Sequence, residues 1–467
     1  MSRSLNVWRL DHRTAARVVP RLRAAGAVEL TERDRRLVPF VRAAYSDPLV
    51  PQEWWMPVIG VDRLTPPGPG VPVTVLDFGL DLSHPEFAGR PNTFPLNNQL
   101  IESSDDAHGT AVSSVVGAPA NGIGLVGVYP QAVLREWDFH DAELSDVLAG
   151  FDAASRVRGV INISGGFFGR EPLLERAVDR AYQRGSLVVA AAGNDRQAGS
   201  RAITPANLPH VLTVAATNRS RVVAFFSSRG RTNDLAAPGQ EIPVAVPTVF
   251  STTGYDVYDG TSFSSPVVAG AAAWVWTARP GIDNTQLFDL MRFSAQDVAP
   301  AGRDADTGYG ILNVPDALAR TLPPPDPQEP NEDVYLVKPR GLTPAGHAPL
   351  TAPGRGTVTV RARLDAYEDP ADVYRVWLPA HRRLVVRTKG NHDVNVALWS
   401  VRTRSVRERG RLRRRDRLRV SVRRGTRADF VSLASRSRRG AYVYAVVTPG
   451  RGTLTAAYSL SVATARR

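Results

Sequence analysis

Short apolar runs without alternation fall at 71–76, 133–137, 160–163, 187–191 and 211–215. Strands apolar on both faces belong inside a sheet rather than on its surface. Helical spacing at 142–157 and 171–184 falls between them. Strand and helix therefore alternate, the pattern of a parallel sheet covered by helices on both faces. The fold class read from this region is α/β, and such sheets place their sites beyond the carboxyl ends of the strands.

Past residue 333 the period becomes two: Val358, Val360, Ala362 and Leu364, then Leu384 and Val386, Val394, Val396 and Leu398, Leu418, Val420 and Val422, and the run 442–447. Several such runs separated by Gly, Pro and charged turns predict an all-β sandwich over 334–467. Between the two patterns, 321–333 is rich in proline, which lacks the amide hydrogen and fixes φ, and reads as a stiff linker. At the amino end, 15–25 has helical spacing and 28–37 suits a strand. The piece 1–45 is too small to stand alone, so it docks on the region 46–320 or is removed.

Composition narrows the functional classes. A chain of 467 residues is too long for one core and calls for two or three folded units. No apolar run reaches about 18 residues, so no membrane span is expected. The net charge is +13, carried by arginine, since Lys338 and Lys389 are the only lysines. So uniform a bias reads as coding composition rather than a nucleic-acid surface, and no nucleic-acid partner is expected. With no cysteine, disulfides and thiolate metal sites are excluded. Residues 1–26 are polar and arginine-studded, without the apolar core of a secretory signal.

Four stretches place a reactive side chain at a strand end or helix start. In Val73-Thr74-Val75-Leu76-Asp77-Phe78-Gly79 a buried strand ends on a carboxylate before a glycine turn; a helix cap is the plainer alternative for Asp77. His108 leads into the small-residue helix Gly109-Thr110-Ala111, whereas His84 precedes a proline in a loop. Asn194 follows Ala191-Ala192-Gly193 and is either a turn residue or an amide donor aimed at negative charge. In Gly260-Thr261-Ser262-Phe263-Ser264-Ser265-Pro266 a glycine turn opens a long helix. Proline in the first helical turn loses no hydrogen bond, and the helix start offers Ser262 an amide and a dipole suited to an anion.

In the order Asp, His, Asn, Ser, these stretches resemble the subtilase family of serine peptidases across roughly residues 50–320. Supporting matches are 81–87, 121–130, 163–166, 226–230, 237–239 and 308–313. The resemblance implies a catalytic triad of Asp77, His108 and Ser262, with Asn194 and the Ser262 amide at the oxyanion. It implies a polypeptide substrate lying extended along Ser164, Gly165 and Gly166, with side-chain pockets near Gly166, Ala191, Gly193 and Ile203. No cofactor is needed for that chemistry, and a structural calcium is implied at Glu86 and Asn121. Phe78, Ala111 and Phe263 depart from the residues usual in the family without removing a catalytic atom.

Residues 1–45 resemble the end of an inhibitory propeptide, and 334–467 the bacterial pre-peptidase C-terminal domain through 329–333, 369–376 and 457–462. The family further implies a monomer outside the cell, with the cytoplasm as the alternative because no signal is visible at Met1. A silent binding protein on the same fold is the other reading, although such proteins normally lose a catalytic residue. Asp77-Phe78-Gly79 also occurs in protein kinases, but neither a phosphate-covering glycine loop nor a His-Arg-Asp loop accompanies it.

Overall fold

The computed structural model describes residues 12–27, 45–298, 300–326, 328–354, 357–408, 411–412 and 416–466. It forms two compact units, Met1–Arg42 and Ala43–Arg467. In the first, α1 (His12–Ala24) matches the helical spacing of the sequence. The strand expected at 28–37 lies outside the described residues.

The second unit is built on a parallel sheet of seven strands. These are β1 (Val73–Asp77), β2 (Thr93–Pro95), β3 (Leu134–Asp138), β4 (Val160–Ile163), β5 (Leu187–Ala191), β6 (Val211–Thr217) and β7 (Leu235–Pro238), in the order β2-β3-β1-β4-β5-β6-β7. From β1 the chain crosses to the edge strand β2, works back to β3 beside β1, and then passes to the other side of β1 with β4. The strand order therefore reverses at β1, and a crevice opens beyond the carboxyl ends of β1 and β4.

Successive side chains of a strand point to opposite faces, and two apolar layers result. Val73, Val75, Val189 and Val214 face α2 (Ala107–Gly117) and α5 (Thr261–Ala278). Leu76, Ile163, Val188 and Ala190 face α3 (Leu144–Ala154) and α4 (Pro172–Gln183). The central helix α5 is buried almost throughout, which its Ala, Val and Gly content permits. At Gly270 an added Cβ would lie 3.0 Å from the Val116 carbonyl oxygen, so this residue lets α5 approach α2 closely.

After α6 (Asn284–Phe293) and the segment 321–333 comes a two-sheet sandwich. Its strands are β8 (Val358–Asp365), β9 (Asp372–Leu378), β10 (Arg382–Gly390), β11 (Val394–Ser400), β12 (Arg417–Ser421), β13 (Asp429–Ala434), β14 (Ala441–Pro449) and β15 (Thr455–Arg466). The sheets run β8-β15-β10-β13 and β9-β14-β11-β12 and enclose Tyr374, Val386, Leu398, Val447 and Leu460. Among its described residues the proline-rich segment has neither helix nor strand before Val334, yet it is not a free spacer: Asp326, Pro330, Asn331 and Glu332 are buried. Among the described residues, no helix is long and apolar enough to cross a membrane.

Candidate active site

Strand β1 ends on Asp77, which is 3% exposed. Its Oδ1 accepts the Phe78 N–H at 2.8 Å and lies 2.6 Å from His108 Nδ1. His108 is the second residue of α2, and Gly109 seats that helix on the turn after β1. The Gly109 N–H donates to the Phe78 carbonyl at 2.8 Å, and a Cβ there would fall 2.2 Å from that oxygen. A carboxylate at Nδ1 keeps the proton on that nitrogen and leaves Nε2 with its lone pair. Burial disfavours the protonated ring, but the charge and hydrogen bond of Asp77 outweigh it, so the His108 pKa is raised above 6.5.

Ser262 is the second residue of α5 and sits in the first helical turn, where N–H groups lack intrahelical acceptors. Its hydroxyl donates to the Ser164 carbonyl at 3.0 Å, while the Ser164 hydroxyl donates to the Ser262 carbonyl at 2.9 Å. The Asn162 amide donates to Ser164 Oγ at 3.1 Å, and Ser265 Oγ donates to Asn162 Oδ1 at 2.6 Å. Ser265 belongs to the stretch Gly260–Pro266 read from the sequence, whereas Asn162 was not singled out there. The signal for Asn162 was a polar residue inside the apolar run Val-Ile-Asn-Ile.

Asn194 is exposed, with its amide oriented by Thr261: both the N–H and the hydroxyl of Thr261 donate to Asn194 Oδ1 at 2.9 Å. The carbonyl end is thereby used, and Nδ2 is the donor end left for a ligand. Phe263 ties the two halves together, its ring centroid 5.8 Å from that of His108 and 5.6 Å from that of Tyr258. A second residue missed in the sequence is Glu136, fully buried on β3 and accepting from Ser113 Oγ of α2 at 2.9 Å. Burial and the nearby charge of Asp77 push its carboxyl well above the usual range.

Gly165 and Gly166 are exposed beyond β4 and offer backbone to an extended chain. Ile203 stands between Gly166 and Gly193. A Cβ on Gly166 would lie 2.6 Å from Ile203 Cγ2, and one on Gly193, whose φ is +98°, 2.3 Å from Ile203 Cδ1. Ala191 is buried at the end of β5.

The α/β fold, with Asp77 at a strand end and His108 and Ser262 at helix starts, points to a class of protein that the comparisons name. The subtilase family model matches residues 68–310, and the chain belongs to the subtilase family. It is 34% identical over 255 residues to subtilisin from Bacillus pumilus, covering 53% of this chain and 90% of that one. Identity to subtilisin E of Bacillus subtilis (strain 168) is also 34% over 255 residues, covering 53% of this chain but only 65% of the relative. Fervidolysin from Fervidobacterium pennivorans, described as a keratinolytic enzyme related to subtilisin, shares the fold. Its TM-score is 0.53 at 20% identity, over 84% of this chain and 71% of that one.

At the calcium position implied by the family resemblance, hydrogen bonds already engage Glu86. Its Oε1 accepts the Leu125 N–H and the Tyr255 hydroxyl, each at 3.0 Å, and its Oε2 accepts the Asn121 amide at 3.4 Å. The loop also turns the N–H groups of Asn121 and Gly122 toward Asp47 Oδ1, at 3.0 and 2.9 Å. Calcium needs oxygen ligands. Donors surround these carboxylates instead, and Glu86 and Asn121 as arranged do not fit the ion.

Proposed function

We propose that this chain is a serine endopeptidase that hydrolyses polypeptides through Asp77, His108 and Ser262. The observation carrying this reading is the 2.6 Å bond between Asp77 and His108 Nδ1, which leaves Nε2 basic beside the helix start that bears Ser262. A hydroxyl has one proton, and that of Ser262 is given to the Ser164 carbonyl. Catalysis therefore begins with rotation of the Ser262 side chain from Ser164 toward His108.

His108 Nε2 takes the hydroxyl proton as Ser262 Oγ bonds to the peptide carbonyl carbon, and Asp77 stabilises the imidazolium without being protonated. The oxyanion is met by the Ser262 N–H and Asn194 Nδ2. Collapse expels the amine, which takes the proton from His108, and leaves an acyl-enzyme; water then repeats the sequence in reverse order of roles. Gly165 and Gly166 align the substrate by backbone pairing, which is independent of its sequence.

Within this reading, residues 1–45 are a propeptide remnant, 46–320 the peptidase, 321–333 the connection and 334–467 a pre-peptidase-like sandwich. The protein acts as a monomer outside the cell. The test is labelling with a fluorophosphonate, which is attacked by an activated serine. The intact chain is expected to label and Ser262→Ala to remain unlabelled. No labelling of folded, matured protein, while a known subtilisin labels beside it, would place the silent binding protein ahead.

A further inference from the structure

The buried segment between the α/β domain and the sandwich carries more carboxylates than the cations beside it can pair. Arg292 of α6 is committed to Asp289 at 2.7 Å, Asp365 at 3.2 Å and Asp234 at 3.4 Å. The Arg363 guanidinium lies against Asp289. His210 Nε2 is 2.6 Å from Glu332. Among the carboxylates these cations leave incompletely paired are Asp326 and Glu329 of the connecting segment, Glu368 and Asp369 between β8 and β9, and Asp372, the first residue of β9.

Their oxygens are incompletely used. Asp326 is 8% exposed; one oxygen accepts the Arg363 N–H at 2.6 Å, and Oδ1 has no partner. The Glu329 side chain is 4% exposed, with Oε2 at 3.3 Å from His210 Nε2 and Oε1 without a partner. Asp369 Oδ1 and Asp372 Oδ1 are likewise unpartnered, although the other Asp372 oxygen accepts the Tyr458 hydroxyl at 2.5 Å. Buried carboxyl oxygens without donors are costly, and either a proton or a bound cation must compensate them.

Asp326, Glu329 and Asp369 each place an oxygen within 4.8 Å of the others. Oxygens bound at calcium distances around one ion are at most about 5 Å apart. They border a cavity of about 230 Å³. An all-oxygen set of several carboxylates suits a hard dication, and segments from different parts of the chain favour calcium, which tolerates irregular geometry, over octahedral magnesium.

We propose that Asp326, Glu329 and Asp369 bind a calcium ion that fixes the sandwich to the α/β domain. Asp372 stands beside them to complete the oxygen set, with water as the further ligand. The ion takes no part in peptide hydrolysis, and the proposal does not rest on the catalytic reading.

The experiment is calcium titration by calorimetry and thermal unfolding on the full chain carrying Ser262→Ala, which prevents self-digestion. Asp326→Asn/Asp369→Asn and Glu86→Gln are made in the same background. After chelation, calcium chloride is expected to bind and raise Tm, and equal magnesium chloride to do neither. The double variant should bind at least tenfold more weakly and lose the rise in Tm, while Glu86→Gln keeps both. Terbium luminescence excited through Tyr182, which lines the cavity, and quenched by added calcium supports the site without requiring a variant to fold. The proposal is overturned if calcium neither binds nor stabilises the parent. It is also overturned if the double variant retains both effects, if Glu86→Gln alone abolishes them, or if terbium gives no calcium-sensitive signal.

Discussion

On the proposed reading of the site, substrate preference is set at Ile203. It fills the gap between Gly166 and Gly193, and behind it lies a cavity of about 210 Å³ lined in part by Ala192, Ser228 and Asn233. Ile203→Ala should open the primary pocket into that space. The preference for a large aromatic over alanine before the scissile bond is expected to rise about 10-fold or more, the scale of a few methylene groups in a pocket. Matched peptides read by kcat/KM check this; an unchanged ratio would mean the pocket lies elsewhere. In the proposed mechanism His108 supplies the pH dependence. Asp77 stabilises its protonated form, so the ring holds its proton to a higher pH and the base becomes available later. The acid limb of kcat/KM should therefore have its midpoint above 6.5. Asp77→Asn should move that midpoint downward and reduce kcat by about 10⁴. A mutant profile with the parent midpoint would show that Asp77 does not set the titration.

Helix α5 presents Ser262 because its small residues let it pass through the core. At Gly270 a Cβ would sit 3.0 Å from the Val116 carbonyl and 3.1 Å from Val128 Cβ. Gly270→Val should cost about 1–3 kcal/mol by overpacking, read as a lower denaturant midpoint; unchanged stability would show that α2 and α5 have slack. The same crowding explains which elements the sequence reveals. β1, β4, β5 and β6 are apolar on both faces because helices cover both, so their runs stand out. β7, Leu-Ala-Ala-Pro, lacks the β-branched residues that mark a strand, and β2 is a three-residue edge. In the site, Asp77, His108, Asn194 and Ser262 announce themselves by motif. Ser265 shares the last of these motifs, but its partner Asn162 does not announce itself, since their hydrogen bond joins positions 103 residues apart. The composition of 321–333 suggests a solvated spacer, because nothing local shows that Asp326 and Glu329 meet His210 and Asp369.

At the scale of the molecule, the two domains are joined by buried charge as well as by covalent connection. Arg292 is 3% exposed and bridges Asp234 and Asp289 of the α/β domain to Asp365 at the end of β8. A buried ion network of this kind adds little over a well-packed apolar replacement of the whole set, but removing one member strands the rest. Arg292→Met keeps an unbranched apolar stem but removes the guanidinium, and leaves three carboxylates facing one another without their common cation. The expected cost is about 3–5 kcal/mol, several-fold more than an exposed pair such as Arg156 with Asp152, where a cost of about 0–1 kcal/mol is expected. Because the network spans both domains, both should lose stability together. Scanning calorimetry of the intact chain should show one main transition that moves to lower temperature in Arg292→Met. A variant in which the sandwich unfolds at its original temperature while only the α/β domain shifts would mean that Asp365 is bystander rather than partner. Arg292→Lys makes a useful control: it retains the charge but not the planar fork that reaches three carboxylates at once, and should recover part of the loss.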